Sequence, residues 1–213
     1  MICHIVGAGE CYGLPFQSTS DDFVIAADGG LDYLKEYNII PNLVVGDFDS
    51  LHEPPEGDEN MIILPKEKDD TDMAAAIREG WARGFRVFHI YGGTGGRPDH
   101  TLGNIQLIAD IAKKGGHGFL RDKDTVMTAI HNTPITFPHT AKGVISVFSH
   151  TDISRGVYEK GLKYPLTNAQ LKNTCPLGIS NEFMGTEAVI SVKSGILVII
   201  TGIENMEGVQ SYV

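Results

Sequence analysis

Val44-Val45-Gly46-Asp47-Phe48-Asp49-Ser50 carries an apolar run into a glycine and then into two aspartates one residue apart. The run reads as a buried strand that stops at Gly46. In extended backbone, residues i and i+2 point to the same side, so Asp47 and Asp49 present their carboxylates together. Two like charges 4 Å apart repel by roughly 4 kcal/mol at an effective dielectric of ~20. A hard divalent cation such as Mg²⁺ relieves that repulsion. A polar turn is the plain alternative, and the surrounding sequence decides between the two.

Working outward, strands are expected at Met1–Val6, Phe23–Ala27, Leu43–Val45, Met61–Leu64, Arg86–Tyr91 and Gly118–Leu120. Helical spacing joins Leu31, Leu34 and Tyr37, then Met73, Ile77 and Trp81, then Leu102, Ile105, Ile108 and Ala112. This alternation predicts a mainly parallel, Rossmann-like α/β sheet over residues 1–122. In such sheets ligands bind outside the carboxyl ends of the strands. Four strands here end in Asp28-Gly29-Gly30, Gly46-Asp47-Phe48-Asp49, Asp69-Asp70-Thr71-Asp72 and Gly92 through His100, so acids and glycines are expected along one edge.

Beyond Lys123 the helical period fades. Short β-rich runs follow at Val126–Ile130, Ile135–Phe137, Val144–Phe148, Gly156–Tyr158, Ala188–Val192 and Ile196–Ile200. They predict an all-β sandwich over 123–213, with Thr167–Lys172 expected as one helical turn.

The 213 residues carry a net charge of −10, which argues against nucleic acid and anionic membrane surfaces as partners. A polyanionic ligand would need metal to offset its charge. Three cysteines without a Cys-x-x-Cys pair suit a reducing compartment, and no basic region leads into a long apolar stretch, so a cytoplasmic protein is expected.

Gly92-Gly93-Thr94-Gly95-Gly96-Arg97 would let backbone N–H groups approach phosphate oxygens, with Arg97 adding a bidentate contact. It lacks the Gly-Lys-Ser/Thr ending of a Walker loop. Asp99 and His100 follow directly and suit a phosphate or base contact. In Asp69-Asp70-Thr71-Asp72 one residue serves as a helix cap, and the surplus of acids points to metal work by Asp69 and Asp72. Gly7-Ala8-Gly9 with Asp28 raises a rival dinucleotide-binding oxidoreductase, although Gly13 falls one place late and Pro15 interrupts the helix. Asp47 as a nucleophile raises a second rival, a phosphohydrolase. A sensor that binds without catalysis is the third.

Taken in order and spacing, Asp28-Gly29-Gly30, Gly46 to Ser50, Lys68 to Asp72 and Gly92 to His100 resemble the motifs of thiamine pyrophosphokinase. Gly161-Leu-Lys-Tyr-Pro-Leu166, Gly178-Ile-Ser-Asn-Glu-Phe183 and Ser194-Gly-Ile-Leu-Val-Ile199 resemble its bacterial branch. The resemblance implies a homodimer with active sites between subunits, and transfer of a pyrophosphoryl group from ATP to the hydroxyl of thiamine, giving thiamine diphosphate and AMP. It implies Mg²⁺ held by Asp47, Asp49 and Asp72, and a catalytic set of Asp47, Asp49, Asp69, Asp72 and Asp99. For ATP it implies Asp28, Gly29, Gly93, Thr94, Gly95, Gly96, Arg97, Asp99 and His100; for thiamine, Asp72, Ser180 and Asn181. The tryptophan that stacks on the pyrimidine in eukaryotic members has no counterpart here, since the sole tryptophan is Trp81.

Overall fold

The computed structural model describes residues 1–46, 61–63 and 70–206. Asp47, Asp49 and Asp69 lie outside the described residues. The larger sheet is mixed, with few helices against it, and the smaller is wholly antiparallel. The chain divides into two compact units, Met1–Leu107 with Leu120–Lys123 and Ile108–Phe119 with Asp124–Val213.

Elements run in the order β1 (Cys3–Val6), β2 (Phe23–Ala27), α1 (Gly30–Glu36), β3 (Leu43–Gly46), β4 (Met61–Ile63), α2 (Asp72–Ala82), β5 (Val87–Tyr91), α3 (Pro98–Lys113) and β6 (His117–Arg121). In the first unit the strand order is β5-β1-β2-β3-β4, all parallel. Strands β1 and β3 are buried at every position, as both faces of a parallel sheet are covered. On one face Val6, Val24, Ala26 and Val44 cluster with Leu31 and Leu34 of α1. On the other, α2 packs so closely that a Cβ at Gly80 would lie 2.8 Å from both Cys3 Sγ and Phe88 Cε1.

Helix α3 departs from its expected face. Ile108 and Ala112 are buried, but Leu102 is 60% exposed and Asn104 is buried instead. The inward position in that turn faces a backbone carbonyl, which a leucine would leave unsatisfied.

The second unit continues with β7 (Thr125–His131), β8 (Pro134–Phe137), β9 (Val144–Ser149), β10 (Ile153–Lys160), β11 (Leu166–Lys172), β12 (Gly178–Glu182), β13 (Ala188–Ser191), β14 (Ile196–Gly202) and a 3₁₀ turn, Ile203–Met206. The order β12-β9-β14-β7 and the order β11-β10-β13-β8 are both antiparallel. Alternate residues of both sets meet in one cluster, with Ile145, Leu197 and Ile199 against Phe137, Val157 and Ile190. Each such side chain, fully buried, contributes about 1.5–3 kcal/mol.

Two elements differ from expectation. Thr167–Lys172 is not a helical turn but most of β11, an edge strand paired with β10. Gly178–Glu182 is a further edge strand, β12. Both are short of inward apolar residues, so cross-strand pairing rather than local pattern makes them strands.

Candidate active site

Parallel register sets Val6 beside Ala26 and Tyr91, and Ala27 beside Val45. The loops after these strands therefore leave from one edge of the sheet. Asp28 stands there in the left-handed region, φ 50, with its N–H donating to Val45 O at 2.8 Å. Helix α1 begins at once behind it. Gly30 allows this, since a Cβ there would lie 1.9 Å from Val6 O.

The loops after β1 and β5 are zipped together. Gly7 N–H donates to Tyr91 O at 2.8 Å, Gly9 N–H to Gly92 O at 2.7 Å, and Glu10 N–H to Thr94 O at 2.9 Å. Gly92 has φ 59, and a Cβ there would lie 2.3 Å from Gly7 O. These contacts account for the glycines of Gly7-Ala8-Gly9, which the dinucleotide reading had taken as a fingerprint. Gly93 O accepts from the buried Asn104 Nδ2 at 2.7 Å. Sequence reasoning had no role for Asn104; the signal was a polar residue on the apolar stripe of α3.

Gly92 through Thr94 is thus the anchored half of the loop, and it is buried. The Thr94 hydroxyl has no hydrogen-bond partner among the described residues. Gly96 through His100 is the open half and is exposed. Arg97 Nη2 donates to Asp99 Oδ2 at 2.6 Å and Nε to Oδ1 at 3.3 Å. That hydrogen bonding holds the Asp99 carboxyl below the usual carboxylate range and raises the Arg97 guanidinium.

The acidic tetrad opens α2. Thr71 Oγ1 accepts from Ala74 N–H at 3.1 Å and is the N-cap. Asp70 accepts from Thr71 N–H and pairs with Arg78. Asp72, half-buried, occupies the first turn, where the helix dipole favours a carboxylate. Among the described residues no three His, Cys, Asp or Glu side chains group as a metal site.

In the second unit, Ser180 is exposed with φ 57, and its N–H donates to Ser146 Oγ at 3.1 Å. Asn181 is buried. Its Oδ1 accepts from Tyr164 N–H and Glu182 N–H, both at 2.9 Å, and its Nδ2 donates to Tyr164 O at 2.9 Å and Glu159 Oε2 at 2.8 Å. Glu159 escaped sequence reasoning, yet its period-2 phase with Val157 points it inward.

The description "Thiamin pyrophosphokinase, catalytic domain" matches residues 17–119, and "Thiamin pyrophosphokinase, vitamin B1 binding domain" matches 132–197. The thiamine pyrophosphokinase of Bacillus subtilis is 31% identical over 184 residues, covering 83% of this chain and 85% of that protein. A crystal structure of thiamine pyrophosphokinase from Bacillus subtilis superposes with a TM-score of 0.84 at 28% identity, over 95% of this chain and 99% of that one. One from Geobacillus thermodenitrificans gives 0.80 at 30% identity, over 95% and 97%. With both halves matched, the chain belongs to the thiamine pyrophosphokinase family.

Proposed function

We propose that this chain is a cytoplasmic, Mg²⁺-dependent thiamine pyrophosphokinase that transfers the pyrophosphoryl group of ATP to the hydroxyl of thiamine. The observation that carries the reading is the shared edge, where Asp28 and the Gly92–His100 loop follow parallel strands in a chain of this family.

In this reading residues 1–122 form a Rossmann-like nucleotide domain and 123–213 a β-sandwich for thiamine. The open half of the β5–α3 loop, Gly95, Gly96 and Arg97, meets the ATP phosphates, while Gly93 and Thr94 hold it in place. Asp28, Gly29, Asp99 and His100 orient the nucleotide. The thiamine hydroxyl oxygen attacks the β-phosphorus, the bond from that phosphorus to the α–β bridging oxygen breaks, and AMP leaves with the electron pair. Asp72 accepts the hydroxyl proton. Ser180 meets the aminopyrimidine through its exposed hydroxyl, and Asn181 holds the strand that presents it.

The donor chemistry fits the metal, because carboxylates are what Mg²⁺ takes and Asp72 opens α2 as one of them. Asp47, Asp49 and Asp72 would hold the ion, with Asp69 close by, and bound there it would offset phosphate charge. A homodimer is supported by apolar side chains left exposed on the second unit, Val144, Tyr164, Leu177, Ile179 and Met184. The net charge of −10 gives no footing for nucleic acid or an anionic membrane.

Incubation of the purified chain with ATP, Mg²⁺ and thiamine tests the reading. AMP and thiamine diphosphate in equal amounts are expected; ADP, or no turnover, overturns it.

A further inference from the structure

Glu159 is wholly buried on β10. Its Oε2 accepts from Asn181 Nδ2 at 2.8 Å, and its Oε1 has no hydrogen-bond partner among the described residues. A buried carboxyl is costly to keep, so what it holds matters. The Asn181 amide has two acceptor and two donor positions, and all four are filled. Three go to backbone, at Tyr164 N–H, Tyr164 O and Glu182 N–H. The fourth goes to Glu159.

Just before Asn181 the strand carries one residue too many. Pairing with β9 runs from Gly178 opposite Val147 to Asn181 opposite Ile145, so Ile179 and Ser180 together face Ser146. This is a β-bulge, a device that re-aims a side chain. Ser180 adopts φ 57 within it, a conformation that persists only when its flanks are held. One flank is Gly178, paired with Val147 of β9. The other is Asn181.

We propose that Glu159 is a positioning residue for thiamine: through Asn181 it pins the far side of the bulge and so fixes where the Ser180 hydroxyl meets the aminopyrimidine. The inference rests on the thiamine reading above. Burial pushes the Glu159 carboxyl up to about 7, the Asn181 amide drawing it part way back, so its neutral form is present near physiological pH.

The test compares wild type with E159L and E159Q by steady-state kinetics and by amide hydrogen exchange. E159L is expected to raise the thiamine KM about tenfold, in line with one lost buried hydrogen bond, with kcat and the ATP KM held within about twofold. E159Q restores the thiamine KM, because its amide oxygen accepts from Asn181. Exchange at the Tyr164 and Glu182 amides quickens in E159L and not in E159Q. N181D keeps an oxygen that accepts from Tyr164 N–H and Glu182 N–H but loses the donors to Tyr164 O and to Glu159, so it raises the thiamine KM at least as much and serves if E159L fails to fold. Wild-type turnover with an unchanged thiamine KM in E159L and N181D overturns this proposal alone. A wild-type chain that releases no AMP overturns the thiamine reading and this proposal with it.

Discussion

Arg97 and Asp99 hold each other through two hydrogen bonds at the start of α3, Nη2 to Oδ2 at 2.6 Å and Nε to Oδ1 at 3.3 Å. Both side chains are about two-thirds exposed. A pair so open to water adds little to stability. On the proposed reading, its value lies in holding the guanidinium beside the glycine loop for an ATP phosphate.

Arg97→Ala is therefore expected to weaken ATP rather than the fold. Loss of a charge-assisted contact of about 1.5–3 kcal/mol raises the ATP KM by roughly tenfold to a hundredfold. The thiamine KM and the melting temperature stay near wild type. Kinetics with each substrate varied in turn, beside a thermal scan, check this.

Asp72→Asn separates chemistry from folding in a second way. The residue sits in the first turn of α2 behind the Thr71 cap, so the fold loses at most about 0.3–1 kcal/mol of helix-dipole stabilisation. Turnover is expected to fall by at least about a hundredfold, the usual contribution of a positioned proton acceptor. AMP release at saturating substrates and Mg²⁺ measures it, and a D72N chain with wild-type rates removes Asp72 from the mechanism.

Glu159 makes the fold lose stability between mildly acidic and neutral pH. Its carboxyl rises from 4.5 to about 7 in the folded chain. Between those values the folded state keeps a proton that the unfolded state has released. Stability therefore falls as pH rises through this window, by about 3 kcal/mol in all. E159Q is expected to melt higher than wild type at pH 8 and to lose that advantage near pH 4.5, as thermal unfolding at both pH values reports.

His4 and His89 act in the opposite direction. His4 is stacked on Phe16 at 4.0 Å, and burial lowers it to about 4; burial, with Arg121 adding, lowers His89 to about 3. Both stay neutral in the fold at pH values where the unfolded chain is protonated. Stability drains away as pH falls from about 6.5 through 4 to 3. Replacing His4 by Phe keeps the stack and removes one such group, so the acid-unfolding midpoint should move to lower pH. Fluorescence of the sole tryptophan, Trp81, follows it.

Several of these features were legible beforehand. Apolar runs such as Phe23–Ala27 announce strands buried on both faces, and Met73 and Ile77 announce a helix, because period and burial are written in neighbouring residues. The order of acids and glycines after those strands was enough to name a family. Other features depend on distant parts of the chain. Thr167–Lys172 became a strand only because β10 offered it a ladder, and Ser180 stands in a bulge only because β9 runs opposite. Gly7 and Gly9 owe their lack of side chains to Gly92 and Thr94, more than eighty positions away. Glu159, Asn181 and Tyr164 form one hydrogen-bonded group across 22 residues of chain. By itself the sequence determined where the buried strands and the helices of residues 1–122 run and which residue types follow those strands, since both are properties of local pattern. Only the tertiary structure decided which polar side chains hold the scaffold and which stay exposed, because a hydrogen bond belongs to whichever partner the fold brings within reach.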